Sequence, residues 1–399
     1  MQLAVGLSKD ATGEAARVAA ALASSEASPA PANDGADVIA LSGRSLTDLL
    51  QDYEAAATSA GLVYASTGLP GVARRRCGRG FLYVGPDGRR IEGRAALARI
   101  RALAIPPAWT EVWICPDPNG HVQAIGRDQR GRRQYCYHEA FRRVRDTVKY
   151  EHMVAFARRL PALRARVSRD MATHGLGRTK VLATVARLLE TTLIRIGNPE
   201  YARENESYGL TTLHSDHVCV DGARLRFSFR GKSGKAWNLD VTDRRVARVV
   251  RLCQELPGQH LFQYVDDEGR QQAISSTDVN GYLKEAAAAA VTAKDFRTWT
   301  GTVLAAQALL ETGPPASGAA AKRNLAAAIR RVAARLGNTP AVCRTCYVHP
   351  DVVEAYAEGR LAEEMEAARA RAPPLEGLLP EEQAVLAFLE RRRGHALAA

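Results

Sequence analysis

Arg195, Lys232, Lys294 with Arg297, Asn338 and Tyr347 are the side chains of this 399-residue chain whose types and order could act on a phosphodiester. Metal-free phosphodiester chemistry needs a nucleophile, fixed positive charge on the non-bridging oxygens and an acid for the leaving alkoxide. The set contains all three kinds of group. Arg195 is expected in the last turn of a long amphipathic helix, within Ile194-Arg195-Ile196-Gly197-Asn198. Lys232 falls on a glycine-flanked hairpin tip, Gly231-Lys232-Ser233-Gly234, where an ammonium can approach closely and can donate a proton. Lys294 and Arg297 stand three apart, so one helical face is expected to carry both. Asn338-Thr339-Pro340 follows, with Tyr347 seven residues beyond Pro340. Taken singly, each has a plainer explanation: a helix-terminal arginine offsetting the dipole, a solvated turn lysine, a solvent-facing cationic pair, a core tyrosine.

Three other motifs fail on their own terms. Gly231-Lys232-Ser233 mimics the end of a phosphate-binding loop, but Arg226 occupies the place of the required first glycine and a strand precedes with no helix after it. Nucleotide binding is not expected. Cys343 and Cys346 near His349 could be half of a zinc site or a redox pair, yet no matching second Cys/His pair occurs. Acidic clusters of the kind that hold two catalytic magnesium ions are absent from these segments. Neither a metal nor a cofactor is expected.

Composition narrows the partner. The chain has 55 Lys+Arg against 43 Asp+Glu, a net charge of +12, and only eight of the basic residues are lysine. Residues 1–60 carry a charge of −5, so the remainder carries +17. The basic character belongs to the folded part, which suits nucleic acid. At 46% hydrophobic residues there is material for two or three ordinary domains. No apolar run approaches the roughly 20 residues of a bilayer span. The first residues lack a basic leader, and a cytoplasmic location is expected. Seven scattered cysteines argue against a disulfide framework.

The elements that must position these groups follow from pattern. Residues 1–60 read as an acidic Ala/Ser/Pro-rich mobile extension, least periodic over residues 27–37. Residues 61–140 read as a β-rich domain, with short runs at 81–84, 111–115 and 121–125 separated by Pro/Asp/Gly turns and a helix at 94–103. It ends in Arg132-Arg133-Gln134-Tyr135-Cys136-Tyr137, where arginines and aromatics interleave as on a nucleic-acid face. Residues 141–365 read as mainly helical, with expected breaks at Pro161 and Gly175–Gly177 and a stop at Gly197-Asn198-Pro199. A three-stranded β-meander interrupts it, with Leu225, Phe227 and Phe229 alternating with polar residues before the Lys232 tip. From Thr242 onward successive helices are expected, and residues 366–399 read as a C-terminal helical extension. The fold class is therefore α+β.

With these blocks in order, the chain resembles the type IB DNA topoisomerases, and within them the short poxvirus-like bacterial branch. The resemblance spans about residues 78–360 and rests on five blocks: Ile125-Gly126-Arg127-Asp128 through Tyr137, Glu204 to Leu213, Phe229-Arg230-Gly231-Lys232, Lys294-Asp295-Phe296-Arg297-Thr298, and Gly337-Asn338-Thr339-Pro340 through Tyr347. It implies a C-shaped clamp on double-stranded DNA, the β-rich domain on one side and the helical domain on the other. It also implies that Tyr347 attacks a backbone phosphorus to give a 3′-phosphotyrosyl linkage, with Arg195 and Arg297 on the non-bridging oxygens. Lys232 would then protonate the leaving 5′-oxygen, Lys294 would assist, and the nicked strand would swivel and be resealed. Gln134, Tyr135 and Tyr137, with Arg132 and Arg133, match the DNA-touching segment. One position departs from the poxvirus pattern: Asn338 stands where those relatives have histidine, and an amide can donate a hydrogen bond but cannot move a proton.

Two alternatives remain. A tyrosine recombinase shares the Arg, Lys, Arg, Tyr logic but usually has histidine where this chain has Lys294. A catalytically inert DNA-binding clamp would keep only the shape. A monomer acting on nucleoid DNA is expected, because one clamp supplies one complete site.

Overall fold

Why the chain folds as it does is clearest in its burial patterns, seen in a computed structural model that describes residues 53–398. The segment 27–37 lies outside the described residues. A short helix, α1 (Tyr53–Ser59), falls inside the stretch read as extension and buries Ala55, Ala56 and Ala57 against Phe141, Val144 and Val148. Next come β1 (Val72–Cys77), β2 (Gly80–Val84), α2 (Arg94–Ala102), β3 (Thr110–Ile114), β4 (Val122–Arg127) and β5 (Arg133–Tyr137). The five strands form one antiparallel sheet in the order β2-β1-β3-β4-β5. Val72, Ile114 and Ala124 from the sheet pack with Ile100 of α2. The outermost strand, β5, is left partly exposed.

The helical part opens with α3 (Glu139–Met171) and α4 (Arg178–Thr192). Contrary to expectation, α3 runs unbroken through Pro161. A mid-helix proline costs about 3 kcal/mol, whereas each fully buried large apolar side chain contributes about 1.5–3 kcal/mol. Met153, Phe156, Leu160, Leu163 and Val167 on this helix all lie in the main core, which outweighs the missing hydrogen bond. The glycine break at 175–177 does occur, between α3 and α4.

After α5 (Pro199–Asn205) comes the meander β6 (Val218–Asp221), β7 (Arg224–Arg230), β8 (Ala236–Thr242), antiparallel in that order. On β7, Leu225, Phe227 and Phe229 are buried while Arg224, Arg226, Ser228 and Arg230 are exposed, which is the expected alternation. Then follow α6 (Arg244–Gln254), β9 (Gln263–Val265), β10 (Gln271–Ala273), α7 (Ser276–Ala287), α8 (Ala293–Thr312), α9 (Gly318–Leu336), α10 (Pro340–Tyr347), α11 (Pro350–Ala357), α12 (Leu361–Arg371) and α13 (Pro380–Ala398). The β9–β10 hairpin corrects the expectation of helices alone beyond Thr242.

The last helix is tied into the core. Phe388 and Leu389 belong to the main cluster. Glu382 accepts two hydrogen bonds of 2.9 Å from Arg164, and Arg164 also donates to Glu190 of α4 at 2.6 Å. Trp299, in the middle of α8, donates to the same Glu382 at 3.3 Å. Three helices that carry or flank the candidate residues are thereby linked. No described helix is long and apolar enough to cross a membrane.

Candidate active site

The helix that carries the apolar stripe before Arg195 ends earlier than its periodicity suggests. Thr192 is its last residue, and Leu193 caps it in the left-handed region with φ 60°. Arg195 therefore lies three residues past the helix rather than in its last turn, because the stripe continues through Leu193 and Ile194 as buried non-helical chain. This strand-like segment is pinned from the side: Leu210 N–H donates to the Arg195 carbonyl at 2.9 Å and Thr211 N–H to that of Ile196 at 2.7 Å. Tyr208 N–H in turn donates to the Arg230 carbonyl at 2.8 Å, which connects the Arg195 segment to the end of β7 beside Lys232.

Arg297 is buried, 4% exposed, in the second turn of α8. That helix starts with a capping box in which Asp295 accepts from Thr292 N–H at 2.8 Å and from its hydroxyl at 2.9 Å. The Arg297 guanidinium bridges two helix ends. Its Nη1 donates to the Leu193 carbonyl and its Nη2 to the Leu336 carbonyl at 2.6 Å. Each of those residues lies two positions before a candidate, Arg195 and Asn338. Of the five guanidinium N–H donors, two are so used, and Nε is buried without a partner.

Asn338 follows Gly337, which closes α9 at φ 63°. Its Oδ1 accepts from Arg195 Nη2, while its Nδ2 is buried with no partner. Thr339 then caps α10, and Pro340 begins it. Tyr347 ends this helix half-buried, with the Arg297 guanidinium carbon 5.2 Å from its ring centroid. Gly301 of α8 lets the helix come this close, since a Cβ there would lie 2.7 Å from the Tyr347 carbonyl oxygen. The same carbonyl accepts from the Thr302 hydroxyl at 3.2 Å.

The structure thus gathers Arg195, Arg297, Asn338 and Tyr347, residues spread over more than 150 positions. Burial lowers the Arg195 pKa, Arg297 lowers it further, and Tyr347 acts in the opposite direction. Two guanidinium groups and two unpaired buried N–H donors make a site suited to an anion with several oxygens. Lys232 is exposed at the hairpin tip and lines, with Arg195, Gly197, Asn198, Tyr201 and Tyr208, a cleft of about 220 Å³. Lys294 is exposed while Arg297 is buried, so the two do not present the common cationic face expected of their spacing.

Cys343 and Cys346 are both free thiols. Burial pushes Cys343 up to about 11 although Arg297 opposes the shift, so it stays protonated among Leu193, Leu336 and Val348. Among the described residues, one group has the composition of a metal site that sequence spacing did not suggest. His214, Asp216 and His217 have ligand atoms within 4.8 Å of one another. His217 Nδ1 is already the acceptor for His214 N–H at 3.0 Å.

Residues 138–372 match the family described as eukaryotic DNA topoisomerase I, catalytic core, and residues 80–128 match bacterial DNA topoisomerase IB, N-terminal domain. The DNA topoisomerase 1B of Acanthamoeba polyphaga mimivirus is 32% identical over 295 residues, 72% of this chain and 88% of the relative. The chain belongs to the type IB DNA topoisomerases. More distant members of the family are DNA topoisomerase 1 of Rabbit fibroma virus, 24% identical over 58% of this chain and 70% of its own length, and vaccinia virus DNA topoisomerase 1B, 22% identical over 58% and 71%.

The residues expected to touch DNA separate into two groups on and just before β5. Arg132 and Gln134 both donate to Asp128 Oδ2, at 2.8 and 3.0 Å, and the Arg132 hydrogen bond holds that carboxyl down at about 2. Tyr135 and Tyr137 stack with centroids 5.8 Å apart, on the strand face that alternation also gives Arg133. Tyr135 is exposed, whereas burial raises Tyr137 to about 12. Sequence reasoning missed Tyr150, whose hydroxyl donates to the Val348 carbonyl at 2.9 Å and so holds the chain just after Tyr347. Tyr150 and Tyr347 are 197 positions apart, so no local pattern signals that contact.

Proposed function

We propose that this chain relaxes supercoiled duplex DNA by cutting one strand, letting it swivel and resealing it, with Tyr347 as the nucleophile. The observation that carries the reading is the convergence of Tyr347 with Arg297, and of Arg195 with Asn338, from separate helices and their ends. The Tyr347 phenolate oxygen attacks the scissile phosphorus, the bond to the 5′-oxygen breaks, and a 3′-phosphotyrosyl linkage forms. Arg195, Arg297 and the Asn338 amide stabilise the charge on the non-bridging oxygens. Lys232 gives its proton to the leaving 5′-oxygen, and Lys294 assists from the exposed start of α8. An ordinary tyrosine titrates near pH 10, so the neighbouring guanidinium charge also favours phenolate during attack.

One phosphodiester replaces another of similar energy, so resealing requires no ATP, and the fixed cations take the part a metal ion would otherwise play. On this reading the β-rich domain and the helical domain grip the duplex from two sides as a C-shaped clamp, with Arg133 and Tyr135 toward the DNA. A single chain supplies a complete site, which supports action as a monomer on nucleoid DNA.

The test uses purified protein and supercoiled plasmid in EDTA without ATP. A ladder of relaxed circles is expected; site-specific junctions would instead indicate a recombinase, and retarded but still supercoiled plasmid an inert binder. Tyr347→Phe is expected to abolish the covalent adduct while leaving DNA affinity nearly intact. Adduct formation by this variant would refute the choice of nucleophile.

A further inference from the structure

Trp237 on β8 is buried and pairs in register with Phe229 of β7, on which it stacks with centroids 6.1 Å apart and planes 3° from parallel. Its two edges press on two glycines. A Cβ on Gly231 would lie 2.7 Å from the indole Cδ1 and Nε1, and one on Gly337 would lie 2.5 Å from Cζ2. Gly231 has φ −99°, a value open to any residue, so at that position the indole and not the backbone excludes a side chain. The next residue after one glycine is Lys232; after the other it is Asn338. Among the described residues, the hairpin tip is closed by local bonds, Gly231 N–H to the Lys235 carbonyl at 2.8 Å and Gly234 N–H to that of Gly231 at 3.0 Å. The residues of the tip from Lys232 to Ala236 are all exposed.

We propose that Trp237 is a positioning residue: its indole is the rigid spacer that sets the Lys232 tip over the Arg195–Asn338 pair. The proposal rests on the reading of Lys232 as the acid for the leaving 5′-oxygen. An indole has two rotatable side-chain bonds, and here it is fixed by stacking on Phe229 and by contact at both edges. Phenylalanine in its place keeps an aromatic ring for the stack but is too short to meet both glycines. The tip then loses its reference to the Gly337–Asn338 turn, and the ammonium no longer waits at the oxygen it must protonate.

A DNA strand with sulfur in place of the bridging 5′-oxygen separates this role from a merely structural one. When the phosphorus–sulfur bond breaks, the thiolate leaves with the electron pair and needs no proton, so a misplaced acid no longer matters. Single-turnover cleavage by Trp237→Phe is expected to be about 10–100-fold slower than the parent on the ordinary strand, the usual size of an ångström-scale misplacement. On the sulfur strand it is expected to match the parent, with unchanged DNA affinity. Lys232→Ala is the control for the underlying reading. If sulfur fails to restore that variant, the acid assignment is wrong whatever Trp237 does. If sulfur restores Lys232→Ala but Trp237→Phe stays equally slow on both strands, or is as fast as the parent on the ordinary strand, the positioning role is overturned. Gly231→Ala, which keeps the indole but displaces the tip from it, carries the same test should Trp237→Phe not fold; a parental rate on the ordinary strand would count against the proposal.

Discussion

Arg297→Lys separates the shape of the guanidinium from its charge. The parent side chain is 4% exposed and spans the Leu193 and Leu336 carbonyls, and on the proposed reading its remaining donors serve phosphate. A lysine has one nitrogen, which cannot hold two carbonyls in different directions and also meet a phosphoryl oxygen with a planar fork. A hydrogen bond involving a charged group contributes about 1.5–3 kcal/mol. Losing one such bond in the transition state predicts cleavage about 10- to 150-fold slower. Leaving one of the two buried carbonyls unpaired costs a further ~1–3 kcal/mol of folding stability. Both losses are expected together, since one group makes both sets of contacts. Adduct formation in a single turnover, followed by denaturing electrophoresis, reads the first; urea unfolding reads the second. Cleavage within about threefold of the parent would show that charge alone suffices. Lost stability with full cleavage would confine Arg297 to joining the two helix ends.

Asn338→His should leave cleavage within about tenfold, because a neutral imidazole can accept from Arg195 and still donate toward phosphate. It should also add a pH dependence near the ordinary histidine value of about 6.5. A loss beyond about 1,000-fold would mean that the role of this position is misassigned. DNA binding should weaken steeply between about 50 and 200 mM salt as phosphate contacts release counterions, and a flat response would contradict the clamp. His349 offers a stability test. Burial, with smaller contributions from Lys149 and Arg392, holds it at about 3, whereas an unfolded histidine titrates near 6.5. The unfolded chain binds the proton first as pH falls, so the stability present above about 6.5 is lost on the way down to about 3, at up to ~1.4 kcal/mol per pH unit. His349→Asn keeps a cap acceptor for Asp351 N–H and should flatten that slope in urea titrations at several pH values. An unchanged slope would place the acid sensitivity elsewhere.

Local patterns carried the parts of the fold that a single element determines. Alternation on β7 and the glycine-bounded tip located Lys232 on a hairpin. The end of α4 was misread because burial continues through Leu193 and Ile194 after helical geometry has stopped, and apolar periodicity cannot distinguish the two. Pro161 was read by its local cost, while the core beneath α3 determined the outcome. The β9–β10 hairpin has three residues per strand, half of them glutamine, too short a run for alternation to be detected. What spacing could not reveal at the site was the direction of Arg297. Its carbonyl partners are 104 and 39 residues away, and only tertiary packing turns it inward while Lys294 faces solvent.

Because one guanidinium clasps carbonyls at the ends of α4 and α9, the two helix ends share one hinge pin, and on the proposed reading that pin also faces the substrate. A small tilt of either one shifts Arg195 or Asn338 at once, since each is only two residues downstream. Remote packing defects along these helices should therefore appear as slow chemistry at temperatures where the protein is still fully folded.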